Sequence, residues 1–217
     1  MEFEEKYFDA RKYLRKEKAV KRHVVGVLEW ASEVGGIDLL RGDGRKALDV
    51  GCACGYSSSV LKMLGYDTYS VDLSRWGVRQ GRASGQGDFL LCDAQRRLPF
   101  KANSFGLVTC FDVLEHLRFP EHAIRYMLEA CASTMVCTTP NRLVEKPVRK
   151  IMGDYDETHI NVKSASEWEK RIRGNSNIRL LRVETFLDLT DKLADSGFPK
   201  SFKLPGFGLT VRIVARK

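Results

Sequence analysis

Apolar and polar positions alternate in blocks along most of the chain. The runs Ala47-Leu48-Asp49-Val50, Thr68-Tyr69-Ser70-Val71, Phe89-Leu90-Leu91-Cys92 and Phe105 to Phe111 are short and apolar, and they predict buried strands. Helical spacing falls between them. Ser57 to Leu64 predicts a helix stopped by Gly65, and Ser74 is placed to cap another that runs to about Gly81. Pro120-Glu121 opens a helix to about Ala130, and Thr134 to Thr138 predicts a strand stopped by Pro140. Residues 141–165 read as irregular. Ser166-Glu167-Trp168 begins a further helix, and Ile178 to Phe186 and Leu209 to Ala215 predict two final strands. Residues 4–33 read as one helix, first polar and then amphipathic, an N-terminal helical extension of the domain.

Strands that alternate with helices predict a doubly wound α/β sheet. Ligands of such sheets bind beyond the carboxyl ends of the strands. Asp49, Asp72, Asp93 and Asp112 each fall at or just past such an end. One aspartate there is an ordinary turn or cap residue. Four on one rim are costly unless they have a partner. The loop between the first strand and the next helix is Gly51-Cys52-Ala53-Cys54-Gly55-Tyr56, and Asp72 lies about twenty positions on, where a carboxylate meets a ribose hydroxyl of a bound nucleotide. The dinucleotide fingerprint is not met, because Ala53 and Tyr56 stand where it needs glycine. Asp49 beside the loop would repel a pyrophosphate, and no Walker loop is present. An acid at this place suits a nucleoside that carries a cationic amino acid.

Leu48-Asp49-Val50-Gly51-Cys52-Ala53-Cys54-Gly55 resembles motif I of the class I S-adenosylmethionine-dependent methyltransferases. Val71-Asp72-Leu73-Ser74, Cys92-Asp93-Ala94 with Leu98-Pro99-Phe100, and Phe111-Asp112-Val113-Leu114-Glu115-His116-Leu117 follow in the order of that family, over residues 45–140. The resemblance implies a Rossmann-like sheet of seven strands, mostly parallel with an antiparallel C-terminal strand, with helices on both faces. It implies a single domain over 1–217: a helical cap over 1–40, a cofactor-binding core over 45–140, a lid or substrate segment over 141–175, and C-terminal strands over 176–217. For S-adenosylmethionine it implies a set made of Asp49, Gly51, Cys52, Gly55, Asp72, Leu73, Asp93, Ala94 and Asp112. Asp72 would take the ribose and Asp93 the adenine amino group, while Gly51 and Gly55 would let the backbone approach the methionine part. Ala53 departs from the family's more usual glycine.

Methyl transfer from a sulfonium needs proximity, and an oxygen acceptor also needs a base or a metal to remove its proton. Asp112, Glu115 and His116 have i, i+3, i+4 spacing, which puts them on one side of a helical turn. His159 lies downstream in Asp154-Tyr155-Asp156-Glu157-Thr158-His159-Ile160-Asn161. His116 and His159 are the candidates for a base or substrate anchor. The arrangement is similar to the ubiquinone-pathway O-methyltransferases and the small-RNA terminal 2′-O-methyltransferases. That likeness implies a magnesium-type ion on Asp112, Glu115, His116 and His159, with Asp112 in place of a longer glutamate.

Composition narrows the partners. The 217 residues carry 36 Lys+Arg against 28 Asp+Glu, a formal +8, which permits an acidic substrate or nucleic acid without requiring either. Arg11, Lys12, Arg15, Lys16, Lys18, Lys21 and Arg22 are opposed locally only by Glu17. With Arg142, Lys146, Arg149 and Lys150 they carry the alternative of an RNA methyltransferase. A small-molecule acceptor is the leading reading, and a non-catalytic cofactor binder is the remaining one. No apolar run approaches the length of a membrane span, no membrane partner is expected, and the N-terminus lacks a signal-peptide pattern, so the expected location is the cytoplasm. The six cysteines are expected to be free thiols, and Cys52-x-Cys54 lacks a second pair at zinc spacing.

Overall fold

The computed structural model describes residues 3–85, 87–145, 156–175, 177–188 and 201–217. Among these residues eight strands form one sheet in the order β3-β2-β1-β4-β5-β8-β6-β7. They are β1 (Lys46–Val50), β2 (Asp67–Asp72), β3 (Asp88–Leu91), β4 (Phe105–Phe111), β5 (Cys131–Pro140), β6 (Leu180–Asp188), β7 (Ser201–Lys203) and β8 (Thr210–Arg216). The first five are mutually parallel, and β8 runs antiparallel between β5 and β6. The expected count of seven is therefore one short. The eighth strand, β7, is a three-residue edge strand whose register pairs it with the end of β6.

Helices cover both faces, because the side chains of a strand alternate between them. In β4, Leu107 belongs to one buried cluster with Val24, Val27 and Leu28 of α2 (Glu17–Gly35) and Val60 and Leu61 of α3 (Tyr56–Met63). Its neighbours Val108 and Cys110 point the other way, into a cluster with Ile124 and Met127 of α5 (Pro120–Ala130) and Trp168 and Ile172 of α6 (Ala165–Arg173). Trp168, Ile172, Met127 and Leu107 are fully buried. The remaining helix of the alternation, α4 (Arg75–Ala83), begins as expected at Ser74, whose hydroxyl accepts from Gly77 N–H at 2.9 Å.

Three expectations shift. The single helix over 4–33 is broken into α1 (Glu5–Ala10), a 3-10 turn (Tyr13–Lys16) and α2, because Lys12 adopts a left-handed backbone with φ 51°. α6 begins at Ala165, one residue before the expected start at Ser166, and is capped at Ser164 by a reciprocal box in which Glu167 reaches back to the Ser164 backbone. Residues 142–145 are helical where an irregular segment was expected, and part of the expected lid, residues 146–155, lies outside the described residues.

Candidate active site

The carboxyl ends of β1, β2 and β4 open into a cavity of about 490 Å³. Gly51, Asp72, Leu73, Asp93, Ala94 and Asp112 line it, as do Glu115, His116 and His159. Phe3, α1, the 3-10 turn and the start of α2 form its roof, the three elements contributing Tyr7, Phe8, Tyr13 and Val20.

The floor is held by carboxylates. Asp72 Oδ2 accepts from the Ala53 N–H and Oδ1 from the Ser74 N–H, both at 2.7 Å. Burial pushes its pKa up, and these donors oppose the rise. Asp49 is 1% exposed and lies beneath the cavity, not in it. Its carboxylate is occupied by the hydroxyls of Ser57 (2.5 Å), Ser58 (2.7 Å) and Thr109 (2.9 Å). Asp49 thus braces the loop and does not face a ligand. Asp93 accepts from Gln95 N–H at 2.9 Å, and Arg96 sits 3.7 Å away.

The loop glycines serve contacts within the protein. A Cβ on Gly51 would fall 2.1 Å from Val113, and one on Gly55 would fall 2.6 Å from Phe89. Cys52 packs with Val78 and Phe89, and neither Cys52 nor Gly55 lines the cavity. Ala53 stands at φ 48°, in the left-handed region where glycine is at ease.

Asp112, Glu115 and His116 do not share one helical face. Asp112 has φ 52°, which breaks the turn, and helical backbone resumes only over Leu114–His116. Asp112 accepts from the Thr138 hydroxyl at 2.9 Å. The group of possible metal-binding side chains among the described residues is Glu115, His116 and His159, whose ligand atoms lie within 4.8 Å of one another, and Asp112 stands outside it. Two imidazole nitrogens and a carboxylate match a transition-type divalent ion, whereas magnesium takes oxygen ligands.

The two imidazoles are in contact, with ring centroids 4.7 Å apart. His116 Nδ1 lies 2.8 Å from Thr158 Oγ1 and 3.2 Å from the Thr158 carbonyl. The Thr158 hydroxyl has one proton and gives it to Asp156 Oδ1 at 2.6 Å. The proton between Thr158 and His116 therefore belongs to Nδ1, and Nε2 keeps its lone pair. Burial, and then the neighbouring His159, push the His116 pKa down to about 4, so the ring is neutral at pH 7. His159 Nδ1 lies 2.6 Å from Glu145 Oε1. Glu145 was not singled out in the sequence.

Asp156 ties the roof to this cluster, pairing with Arg11 at 2.7 Å. Burial opposes its ionisation, but the two donors of Thr158, with His159 and Arg11, outweigh burial and hold the carboxyl below the usual range. Burial and Asp156 push Tyr7 up to about 12. Of the basic N-terminal residues, Arg11 is committed inward to Asp156 and Lys21 to Glu17. Lys146, Arg149 and Lys150, like Asp154 and Tyr155, lie outside the described residues. All six cysteines are free thiols.

A family model for a methyltransferase domain matches residues 11–175. A ubiquinone biosynthesis O-methyltransferase of Marinobacter nauticus is 29% identical over 143 residues, 60% of this chain and 58% of that protein. The chain thus spans little more than half the length of that relative. A SAM-dependent methyltransferase from Archaeoglobus fulgidus superposes with a TM-score of 0.72 at 16% identity, covering 97% of this chain and 99% of that one. Magnesium protoporphyrin IX methyltransferase of Synechocystis, solved with bound SAH, has a TM-score of 0.63 at 18% identity, covering 94% and 87%. At these identities the structures establish a shared fold. Among the described residues no helix is long and apolar enough to cross a membrane.

Proposed function

The chain belongs to the methyltransferase-domain family, and from that premise we propose that it moves the methyl group of S-adenosylmethionine to an oxygen or nitrogen of a small-molecule acceptor. The observation that carries this reading is the continuity of one cavity. Asp72, Leu73, Asp93 and Ala94 lie along its rim, and it also holds His116 and His159. The acidic end suits a donor that carries a sulfonium and an ammonium. Asp72 would accept from the ribose hydroxyls and Asp93 from the adenine amino group, with Leu73 and Ala94 against the ring. Gly51 would pass close to the methionine part.

In the transfer, a lone pair of the acceptor attacks the methyl carbon in line with the carbon–sulfur bond. That bond breaks, and its electrons return to sulfur as S-adenosylhomocysteine leaves. The acceptor's proton needs a receiver. The Nε2 lone pair of His116, on a ring kept neutral by burial, would serve, and His159 beside it is the second candidate. The aromatic side chains of the roof would give a planar acceptor faces to pack on.

The convergence of Glu115, His116 and His159 supports a second reading of the same cluster, as the seat of a divalent ion of the transition type. Such an ion would lower the pKa of an acceptor hydroxyl bound to it.

Calorimetric titration with S-adenosylmethionine and S-adenosylhomocysteine tests the donor. Micromolar binding that fails in Asp72→Ala supports it, and no binding by the wild type overturns it. A methyl-acceptor screen with radiolabelled donor follows, in EDTA and with added manganese, zinc or magnesium. Full turnover by both His116→Ala and His159→Ala would remove the proton-acceptor role from these two residues.

A further inference from the structure

We propose that Glu145 is a positioning residue that locks the His159 imidazole in the tautomer carrying its proton on Nδ1, so that the Nε2 lone pair is turned toward the cavity. The inference rests on the methyltransferase reading only for the use to which that lone pair is put.

The geometry is closed on one side and open on the other. Glu145 is 1% exposed and does not line the cavity, whereas His159 does, with its side chain 7% exposed. Glu145 Oε1 and His159 Nδ1 are 2.6 Å apart. With the proton on Nε2 instead, two lone pairs would meet at that distance inside the protein, which is strongly unfavourable. Nδ1 therefore carries a proton, and in the neutral ring the nitrogen on the opposite side is the acceptor.

The mount of Glu145 is rigid. Its N–H and that of Val144 donate to the Asn141 carbonyl at 2.9 and 3.1 Å. Asn141 is itself fully buried, and its amide nitrogen donates to the carbonyls of Gly206 and Gly208 at 3.0 and 2.8 Å. The mount of His159 is equally fixed. Its N–H donates to the Asp156 carbonyl, and two residues on the Asn161 N–H donates to the Glu115 carbonyl at 2.8 Å. A carboxylate on one rigid segment thus orients a ring on another. That is the logic of an acid behind a catalytic or metal-binding imidazole, where the acid fixes the tautomer without touching the reacting atoms.

The groups facing His159 point to the same assignment. His116 is held by Thr158 in its own Nδ1–H form, so it too presents an Nε2 lone pair. Asp156 Oδ2 lies 3.7 Å from His159 Nε2, beyond hydrogen-bond distance, and accepts from the Tyr7 hydroxyl at 3.4 Å, while Oδ1 takes Arg11 and the two donors of Thr158. Glu115 and Tyr7 complete the surroundings and, like Asp156, place an acid or a hydroxyl on the cavity side. The carboxylate bonded to Nδ1 is that of Glu145. Two independently fixed rings then present two lone pairs to one space.

The test reads the tautomer directly. The full chain, labelled with 15N- and 13C-histidine and freed of divalent ions with EDTA, is studied by long-range proton–nitrogen correlation above pH 7. His159 in the wild type is expected to show a protonated Nδ1 and an unprotonated Nε2. In Glu145→Gln the amide turns either its oxygen or its NH2 toward the ring, and a mixture of tautomers is expected. Because Glu145 does not line the cavity, S-adenosylhomocysteine affinity should stay within about twofold of the wild type. A wild-type His159 protonated on Nε2 would overturn the proposal, as would a Glu145→Gln variant with an unaltered tautomer. Should Glu145→Gln fail to fold, the wild-type spectrum decides alone. Failure of the wild type to bind S-adenosylhomocysteine would defeat the methyltransferase reading and leave the tautomer result standing.

Discussion

The main-chain N–H of Ala53 donates to Asp72 Oδ2 at 2.7 Å, and it does so from a left-handed backbone with φ 48°. The bond joins the loop after β1 to the end of β2, the two segments that would hold the methionine and the ribose of the donor. An alanine pays for that conformation roughly 1–2 kcal/mol that glycine does not. Glycine in turn loses about 0.5–1 kcal/mol through the entropy of its unfolded chain. Ala53→Gly is therefore expected to be stabilising on balance, raising the melting temperature by about 2 °C while leaving S-adenosylmethionine affinity in place. Differential scanning calorimetry checks it, and a lower melting temperature would show that the backbone here is not strained.

Asp72 carries two duties, since the same carboxylate also accepts from the Ser74 N–H at the start of α4. Asp72→Asn keeps the size and one acceptor oxygen but removes the charge. Hydrogen bonds to a charged group are worth about 1.5–3 kcal/mol, so donor affinity should fall about 10- to 100-fold, with a modest loss of stability. Parallel titration and thermal melts separate the two effects. An unchanged affinity would take Asp72 out of the donor site.

Most of the fold was legible because the parallel strands are buried on both faces. Leu107, Val108 and Cys110 are apolar whichever way they point, so β4 reads as a continuous apolar run. β7 was not legible: Ser201–Lys203 is three residues long with no alternating pattern to read, and only its pairing with β6 makes it a strand. The break in the N-terminal helix rests on Lys12 at positive φ, a conformation that nothing in a lysine announces. At the site, the acidic strand ends were visible in sequence, but their division of labour was not. Asp49 faces three hydroxyls and Asp72 two backbone amides, a distinction set by tertiary packing. The i, i+3, i+4 reading of Asp112, Glu115 and His116 assumed continuous helix, and the left-handed Asp112 breaks it. Glu145 carried no signal at all, because its partner His159 is fourteen residues away and comes beside it only in the fold.

The roof over the cavity is fastened at its outer end by Glu4. Its two carboxylate oxygens accept from the N–H groups of Arg75 and Trp76 at 3.0 Å, where the dipole of α4 favours a negative charge. Phe8 stacks on Trp76 with ring centroids 5.0 Å apart, and Tyr13 stacks on Tyr56 at 5.3 Å. These contacts hold the roof over the proposed donor site, so on that reading release requires them to part. Glu4→Gln should speed S-adenosylhomocysteine dissociation about two- to fivefold, the worth of one charge at a helix terminus. Phe8→Ala should speed it further. Stopped-flow displacement measures the rates, and unchanged dissociation in both variants would mean that the ligand leaves by another path.

Acid should weaken the fold through His116. Its folded-state pKa of about 4 lies below the 6.5 of a free imidazole, first because the ring is buried and then because His159 is beside it. Between those two values the unfolded chain takes up a proton that the folded protein refuses. Stability is therefore complete above pH 6.5, declines as pH falls toward 4, and loses nothing more through this group below that. The gap sets a ceiling of about 3 kcal/mol. Urea unfolding in EDTA at pH 7.5 and pH 4.5 measures it. The wild type should lose more stability between the two than His116→Gln, whose side chain does not titrate. Equal losses in the two proteins would show that the folded and unfolded chains protonate His116 alike, and that burial does not set its charge.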